Sequence, residues 1–366
     1  MLAVFTSEIG GSFINRHVDD LLPDRTVAIA RYSIPTPPNS WRQTCPVFYV
    51  DRWANNLSVR VLRRIGVPES RLCANALARF LRKHGVTVVL GEFLDQFLDF
   101  VPILNELKIP YVVQGHGIDV SAALRDPSMA GRYLVYNSAR VILTRCEFHR
   151  QRLIGLGLPA SKIHVNFGGV DVPQQPPVRD PKACKRFLAI SYMIPKKGPI
   201  YVLEAFRLAI ARDPEISLDF IGGGPLFPAA RQFVDACGLA NRVRLHGLAS
   251  AETKRRLLQE CGVFVQHSIT DPDTGNEEGL PAAIQEAMGQ GMAVVSTRHA
   301  GIPEAVIEGV SGLLVDEGDA DDMARAILQI TSSASVMGIA GHRQAVKEHS
   351  WPSEKLRLLE WFGELV

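Results

Sequence analysis

Short runs of β-branched and aliphatic residues alternate with amphipathic stretches along almost the whole chain, the pattern of βαβ units built around parallel sheets. "LAVFTS" (Leu2–Ser7) predicts a first strand, followed by the glycine-bearing loop "EIGG" and a helix from about Phe13. Further strands are predicted at Val86–Leu90, Tyr111–Gln114 and Val141–Thr144. The proline-rich stretch "VDVPQQPPVRDP" (Val170–Pro181) then breaks the alternation, because proline neither donates to a ladder nor continues a helix. A linker is expected there, dividing the chain into domains 1–172 and 173–349. Beyond it the alternation restarts at Arg186, with strands at about Ser217–Ile221, Val243–His246, Val263–Gln266, Ala293–Ser296 and Gly312–Val315. The fold class is therefore α/β, with two doubly wound parallel-sheet domains. In the last segment, 350–366, Leu356, Leu358, Leu359, Trp361 and Phe362 share one side of a helix, which is expected to pack back on the first domain.

Composition changes this picture little. With 366 residues, 46% hydrophobic and 21% charged, there is apolar material for two cores and no basis for disorder. The longest apolar runs fall well short of the ~20 residues of a bilayer span, and "MLAVFTSEIGG" lacks a basic leader, so a cytoplasmic protein is expected, at most peripheral on a membrane. The six cysteines form no CxxC pair, which argues against a zinc site or a disulfide framework.

Charge is more informative. The net charge is +2, yet residues 1–172 carry 20 Lys and Arg against 14 Asp and Glu, whereas 173–366 carry 20 against 24. Within the basic half, Arg52–Lys83 holds eight basic residues and the single acid Glu69. Such a run is a solvated helical face or a surface for an anionic partner.

Candidate chemistry concentrates in "NEEGLPAAIQEAMGQGMAVVSTRHAGIPE" (Asn276–Glu304). Pro281 suits a first helical turn, leaving Gly279 and Leu280 to offer backbone N–H groups to an anion. Glu278 precedes the helix and Glu286 lies in its second turn. At ~1.5 Å rise per residue the two carboxylates are too far apart to share a proton, but they suit opposite ends of an elongated polar ligand. "PKKGP" (Pro195–Pro199) follows a predicted strand and puts Lys197 where a second anionic group is met. "IGGGPLF" (Ile221–Phe227), with Gly223, is a glycine turn after another strand, and "VQHS" ends a strand on His267. In this order, at the ends of successive strands, these motifs describe a nucleotide-sugar diphosphate site.

Together with "NRVRLHGLAS", "VFVQHS", "EEGLPAAIQEAM", "AVVSTRHAGIPEAVIEG" and "SGLLV", these stretches resemble the C-terminal domain of GT-B glycosyltransferases of family 4. "GGSFINRHVDDL" and "QGHGIDVSAAL" are similar to members of that family that build bacterial exopolysaccharides of the colanic-acid and amylovoran type. The resemblance implies two Rossmann-like domains facing a cleft, with the acceptor on the N-terminal side and the donor on the C-terminal side. It implies that Glu286 meets the donor ribose, Glu278 the transferred sugar and Lys197 the diphosphate. His116 would sit beside the sugar and leaving group, and Gly10 and Gly11 near the phosphates. The expected catalytic set is His116, Lys197 and Glu278. The donor-binding set is Gly10, Gly11, Tyr192, Gly223, His267, Gly279, Leu280 and Glu286.

One departure stands out. Where the family carries an arginine ahead of its lysine, this chain reads "SYMIPKKG", with Tyr192 at that position. A tyrosine hydroxyl gives only a neutral hydrogen bond, which leaves Lys196 or Arg298 as a substitute cation. Asp119 reads as a loop anchor ahead of a catalytic base, and the "DPD" at Asp271–Asp273 as turn chemistry rather than a metal clamp. The activity expected is retaining, metal-independent transfer from a nucleoside diphosphate sugar to a saccharide acceptor, possibly one carried on a polyprenyl diphosphate. No cofactor and no nucleic-acid partner are expected. A nucleotide-sugar 2-epimerase and a non-catalytic nucleotide-sugar-binding protein are the alternatives.

Overall fold

The computed structural model describes residues 1–6, 12–33, 45–53 and 69–366. They form two compact units, one of Met1–Asn166 with Lys355–Val366, the other of Phe167–Glu354.

In the first unit the described strands are β1 (Leu2–Thr6), β2 (Thr26–Ala30), β3 (Val47–Tyr49), β4 (Val88–Glu92), β5 (Tyr111–Gln114), β6 (Val141–Thr144) and β7 (Ile163–Val165). They pair in parallel in the order β3-β2-β1-β4-β5-β6-β7. Every residue of "LAVFT", "TVAIA" and "VVLGE" is buried. Strands covered by helices on both faces need no polar alternation, which is why they read as continuous apolar runs. The helix Glu69–Lys83 covers one face with Cys73, Leu77 and Leu81, four residues apart, and turns Arg71, Arg79, Arg82 and Lys83 to solvent.

The second unit holds β8 (Arg186–Ile190), β9 (Ser217–Ile221), β10 (Val243–Gly247), β11 (Val263–Val265), β12 (Ala293–Thr297) and β13 (Gly312–Val315), parallel and ordered β10-β9-β8-β11-β12-β13. Alternate residues feed two separate cores. Phe187, Val263, Val265, Val295 and Leu313 enter one, while Leu188, Phe264, Val294 and Leu314 enter the other. Both sheets thus reverse their strand order at one point, between β1 and β4 and between β8 and β11. In doubly wound sheets, ligands bind outside the carboxyl ends of the strands at such points.

The first unit ends ahead of the proline-rich stretch expected to act as a linker, and that stretch is pinned to the second unit. The Arg179 guanidinium donates to the carbonyls of Cys261 (2.8 Å), Leu258 (2.8 Å), Gln290 (2.7 Å) and Gly291 (3.3 Å), at the carboxyl ends of two helices. One planar fork of five donors satisfies carbonyls that helices leave open. The helix Trp351–Phe362 ends in the first unit, with Leu358 and Phe362 fully buried. Lys355 donates there to the Asp20 carbonyl at 2.7 Å, and Arg140 to the Trp361 carbonyl at 2.9 Å. No helix among the described residues is long and apolar enough to cross a membrane.

Candidate active site

At the reversal point of the second sheet, the loop leaving β8 meets the loop leaving β11. Gly198 lies between Lys197 and the helix Pro199–Ile210 with φ +51°, and a side chain there would run into the His267 carbonyl at 2.1 Å. Only glycine allows both that conformation and that approach. The turn sets Lys196 and Lys197 side by side on one carboxylate. Lys196 Nζ lies 3.0 Å from Glu278 Oε1, and Lys197 Nζ lies 2.9 Å from Oε2. Burial opposes charge on Glu278, but Lys197 and then Lys196 outweigh it and bring the carboxyl down to about 2. Lys196 also reaches the Asn276 side-chain carbonyl at 3.3 Å.

The backbone around Glu278 is fixed by histidine chemistry. The Glu278 N–H donates to His299 Nε2 at 3.1 Å, and His299 Nδ1 donates to Glu317 at 2.6 Å. The other Glu317 oxygen accepts from the Thr270 N–H at 2.8 Å. His267 is fully buried, stacked on Tyr201 with ring centroids 4.8 Å apart, and its Nε2 accepts from the Gly318 N–H at 2.8 Å. That bond places the proton on Nδ1, and burial lowers the imidazole to about 4, so the ring is neutral near pH 7.

The helix expected to start at Pro281 runs from Ala282 to Gly289, with Pro281 extended at its N-cap. Proline's fixed φ serves either position; here its ψ of 121° holds it outside the helix. Leu280 turns its side chain into the core and the Gly279 carbonyl accepts from the Gly301 N–H, so both residues also bind the loop to the protein. Glu286 is half-buried and ion-paired with Lys254 of the helix Ala251–Glu260 at 2.6 Å.

The glycine turn after β9 packs against the loop that carries Tyr192. Side chains at Gly222 and Gly224, both at positive φ, would strike the Ser191 carbonyl at 1.8 Å and the Met193 carbonyl at 2.8 Å. Gly223 accepts through its carbonyl from the Met193 N–H at 2.7 Å. Tyr192 itself is 58% exposed. Of the two substitute cations, Lys196 is beside Lys197, whereas Arg298 pairs with Glu308 and Asp316 on the surface. Asp271 accepts from the N–H groups of Asp273 and Thr274, both at 3.0 Å, which makes "DPD" a side-chain-closed turn.

In the first unit, His116 follows β5 and belongs to a chain of buried polar groups. Its Nε2 is 2.6 Å from Glu92 Oε2, while His17 Nδ1 is 2.6 Å from Glu92 Oε1. Arg145 Nε donates to His116 Nδ1 at 3.3 Å. Burial of Glu92 is outweighed by His17 and His116, which hold its carboxyl well below the usual carboxylate range. Asp119 anchors the His116 loop by accepting from the N–H groups of His116 (2.8 Å), Gly117 (3.0 Å) and Leu94 (2.8 Å). Gly10 and Gly11 lie outside the described residues.

Two family models cover the chain almost end to end: Glycosyltransferase Family 4 over residues 13–174 and Glycosyl transferases group 1 over 174–348. The chain belongs to the family 4 glycosyltransferases. Among its curated relatives is the amylovoran biosynthesis glycosyltransferase AmsK of Erwinia amylovora, 29% identical over 73% of this chain and 67% of that protein. WcaL of Salmonella typhimurium, named for colanic acid biosynthesis, is 31% identical over 59% of this chain and 54% of its own. A GDP-mannose-dependent phosphatidylinositol monomannoside mannosyltransferase of Mycolicibacterium smegmatis is 26% identical over 85% of each chain. The fold matches Anabaena HepE, crystallised with UDP, at a TM-score of 0.76, 18% identity and 98% of each chain. Sucrose-phosphate synthase of Thermosynechococcus elongatus matches at 0.73 and 17% identity over 99% and 98%. Both units are thus the Rossmann-like halves of a GT-B glycosyltransferase.

Lys196, Lys197, Glu278 and His267 are brought together in the second unit of this family 4 member. His116 stands in the first unit, and Glu286 is engaged by Lys254. Reading the sequence missed Glu92, His17, Arg145, Lys254 and the His299–Glu317 pair. Glu92 had one signal, a carboxylate closing the apolar run "VTVVLGE". His17 lies inside the quoted stretch "GGSFINRHVDDL" with nothing there to single it out, and Lys254 sits in ordinary amphipathic helix sequence.

Proposed function

We propose that this chain is a retaining, metal-independent glycosyltransferase that moves a sugar from a nucleoside diphosphate sugar to a saccharide acceptor in bacterial exopolysaccharide or cell-surface glycan synthesis. The observation that carries this reading is the convergence of Lys196 and Lys197 on the buried Glu278 carboxylate, two cations and one anion at a sheet reversal point. The two lysines neutralise the glutamate. With the donor bound, both ammoniums turn to the diphosphate oxygens and Glu278 accepts hydrogen bonds from the transferred sugar. Lys196 supplies the charge that Tyr192 lacks. The buried Nδ1–H of His267, a donor without a protein acceptor among the described residues, suits a phosphate oxygen. Glu286, oriented by Lys254, takes the ribose hydroxyls. Charge developing on the leaving diphosphate is met by fixed cations and amides, which cost no reorganisation as the bond breaks. That phosphate then takes the acceptor hydroxyl's proton on the same face, retaining configuration. Tyr192, Gly223, Gly279 and Leu280 complete the donor side.

The second unit is assigned to the donor and the first, with His116, to the acceptor. AmsK and WcaL favour a polysaccharide product, the phosphatidylinositol mannoside enzyme favours an acceptor carried on lipid, and HepE with UDP favours a nucleotide-sugar donor. The basic first unit is assigned to an anionic membrane surface.

A screen of nucleotide sugars for thermal stabilisation, followed by release of nucleoside diphosphate, tests the reading. One donor should raise the melting temperature and be slowly hydrolysed without acceptor. Lys197→Ala should nearly abolish turnover, and Glu286→Ala should weaken donor binding by ~1.5–3 kcal/mol, the scale of hydrogen bonds to a charged acceptor. Binding without turnover by the wild type would leave a nucleotide-sugar-binding protein. Release of an altered free sugar would leave an epimerase.

A further inference from the structure

Glu92 ends β4, a strand beside the first sheet's reversal point, and is fully buried. A buried carboxylate is costly unless each oxygen is matched, and an apolar side chain of similar size serves stability as well or better. Here each oxygen takes one histidine N–H at 2.6 Å, His17 from the helix Ser12–Asp19 and His116 from the loop after β5. The next residue, Phe93, holds φ +65°, which a bulky side chain rarely adopts, and its ring lies 4.4 Å from the His116 ring. The backbone is bent so that Glu92 and Phe93 grip the imidazole together.

The proton positions follow from this geometry. An ionised carboxylate only accepts, so His116 Nε2 carries the proton and Nδ1 is left an acceptor, which takes the Arg145 Nε–H. We propose that Glu92 is a positioning residue, fixing His116 as the Nε2–H tautomer and through it seating the Arg145 guanidinium. This rests on the reading of His116 as part of the transfer machinery. A sugar hydroxyl reaching His116 then takes the Nδ1 lone pair in place of the long Arg145 Nε–H bond, and so meets an acceptor nitrogen beside a guanidinium, never a second N–H. Glutamine cannot replace Glu92, because it offers one acceptor and one donor to two histidines. If its amide N–H faces His116, the ring proton moves to Nδ1 and opposes the Arg145 Nε–H.

Histidine ¹⁵N spectra of the full chain, with His116 assigned from the His116→Gln variant, test the proposal. The wild type should show His116 as Nε2–H at neutral pH. Glu92→Gln should move it toward Nδ1–H and lower kcat on the order of tenfold to a hundredfold, the scale of outer supporting partners generally, with the donor KM within about twofold. Rates are normalised to folded protein by the thermal midpoint. Glu92→Asp should retain the wild-type tautomer and recover most of the turnover. An Nδ1–H tautomer in the wild type overturns the proposal even if Glu92→Gln does not fold. So does a Glu92→Gln variant in which neither His116 nor His17 changes tautomer and kcat stays at the wild-type value. If the wild type turns over no nucleotide sugar, the transferase reading fails, and the tautomers still decide the role of Glu92.

Discussion

Burial moves the His267 imidazole down to about 4 against the pull of Glu317 and Asp319, and Lys197 and Lys196 hold Glu278 at about 2 despite its burial. Both folded-state values lie below the unfolded ones of 6.5 and 4.5. As pH falls, the unfolded chain therefore takes up each proton first and stability is lost. For His267 the contribution is full above 6.5 and gone by about 4. For Glu278 it is full above 4.5 and gone by about 2. Each window is worth on the order of 3 kcal/mol. Thermal midpoints taken from pH 7 to 3 should fall less steeply for His267→Gln between 6.5 and 4, and for Glu278→Gln only below 4.5. A His267→Gln variant with the wild-type slope above pH 4.5 would show that the histidine is not held neutral by burial.

Between residue and fold stand the glycine turns that seat these groups. Gly222→Ala places a methyl 1.8 Å from the Ser191 carbonyl, and backbone, unlike a side chain end, cannot swing away. We expect it to cost about 2–4 kcal/mol, with donor affinity lost beyond that because the Tyr192 loop shifts. Gly131→Ala, in the helix Pro127–Tyr133 with nothing within 4 Å of the new methyl, should be neutral or stabilising by up to about 1 kcal/mol. Equal losses in the two variants, read by denaturant unfolding, would remove the close approach as the reason for the glycine. At this scale the sequence was legible wherever a strand is buried on both faces and bounded by turn residues: Tyr111–Gln114, Val141–Thr144, Ser217–Ile221 and Gly312–Val315 have the expected bounds. Thr26–Ala30 escaped because two of its five residues are alanine, which marks neither helix nor strand by pattern. Val47–Tyr49 and Ile163–Val165 escaped because three residues hold no period. The meeting of Lys196 and Lys197 with Glu278 was legible because their motifs are local. The His17–Glu92–His116–Arg145 chain was not, because its members are brought together only by the order of four strands.

At the scale of the molecule, the excess of positive charge in residues 1–172 is the feature that the site residues leave unexplained. Arg60, Arg63 and Arg64 lie outside the described residues, and the described part of the basic segment places Arg71, Arg79, Arg82 and Lys83 on the exposed face of one helix. The apolar partners Cys73, Leu77 and Leu81 are committed to the core, so this helix has no apolar face to insert into a bilayer, and any attachment rests on charge. Four such charges near an anionic leaflet are worth about 1 kcal/mol each, enough for reversible binding that screening by salt undoes. Co-sedimentation with vesicles should therefore require anionic lipid, fall steeply with added salt, and weaken markedly when Arg71, Arg79, Arg82 and Lys83 are changed to glutamine, with the melting temperature unchanged. A wild type that ignores anionic vesicles at low salt would reduce the segment to a solvated face. The acceptor would then be better sought among soluble saccharides than on a lipid carrier.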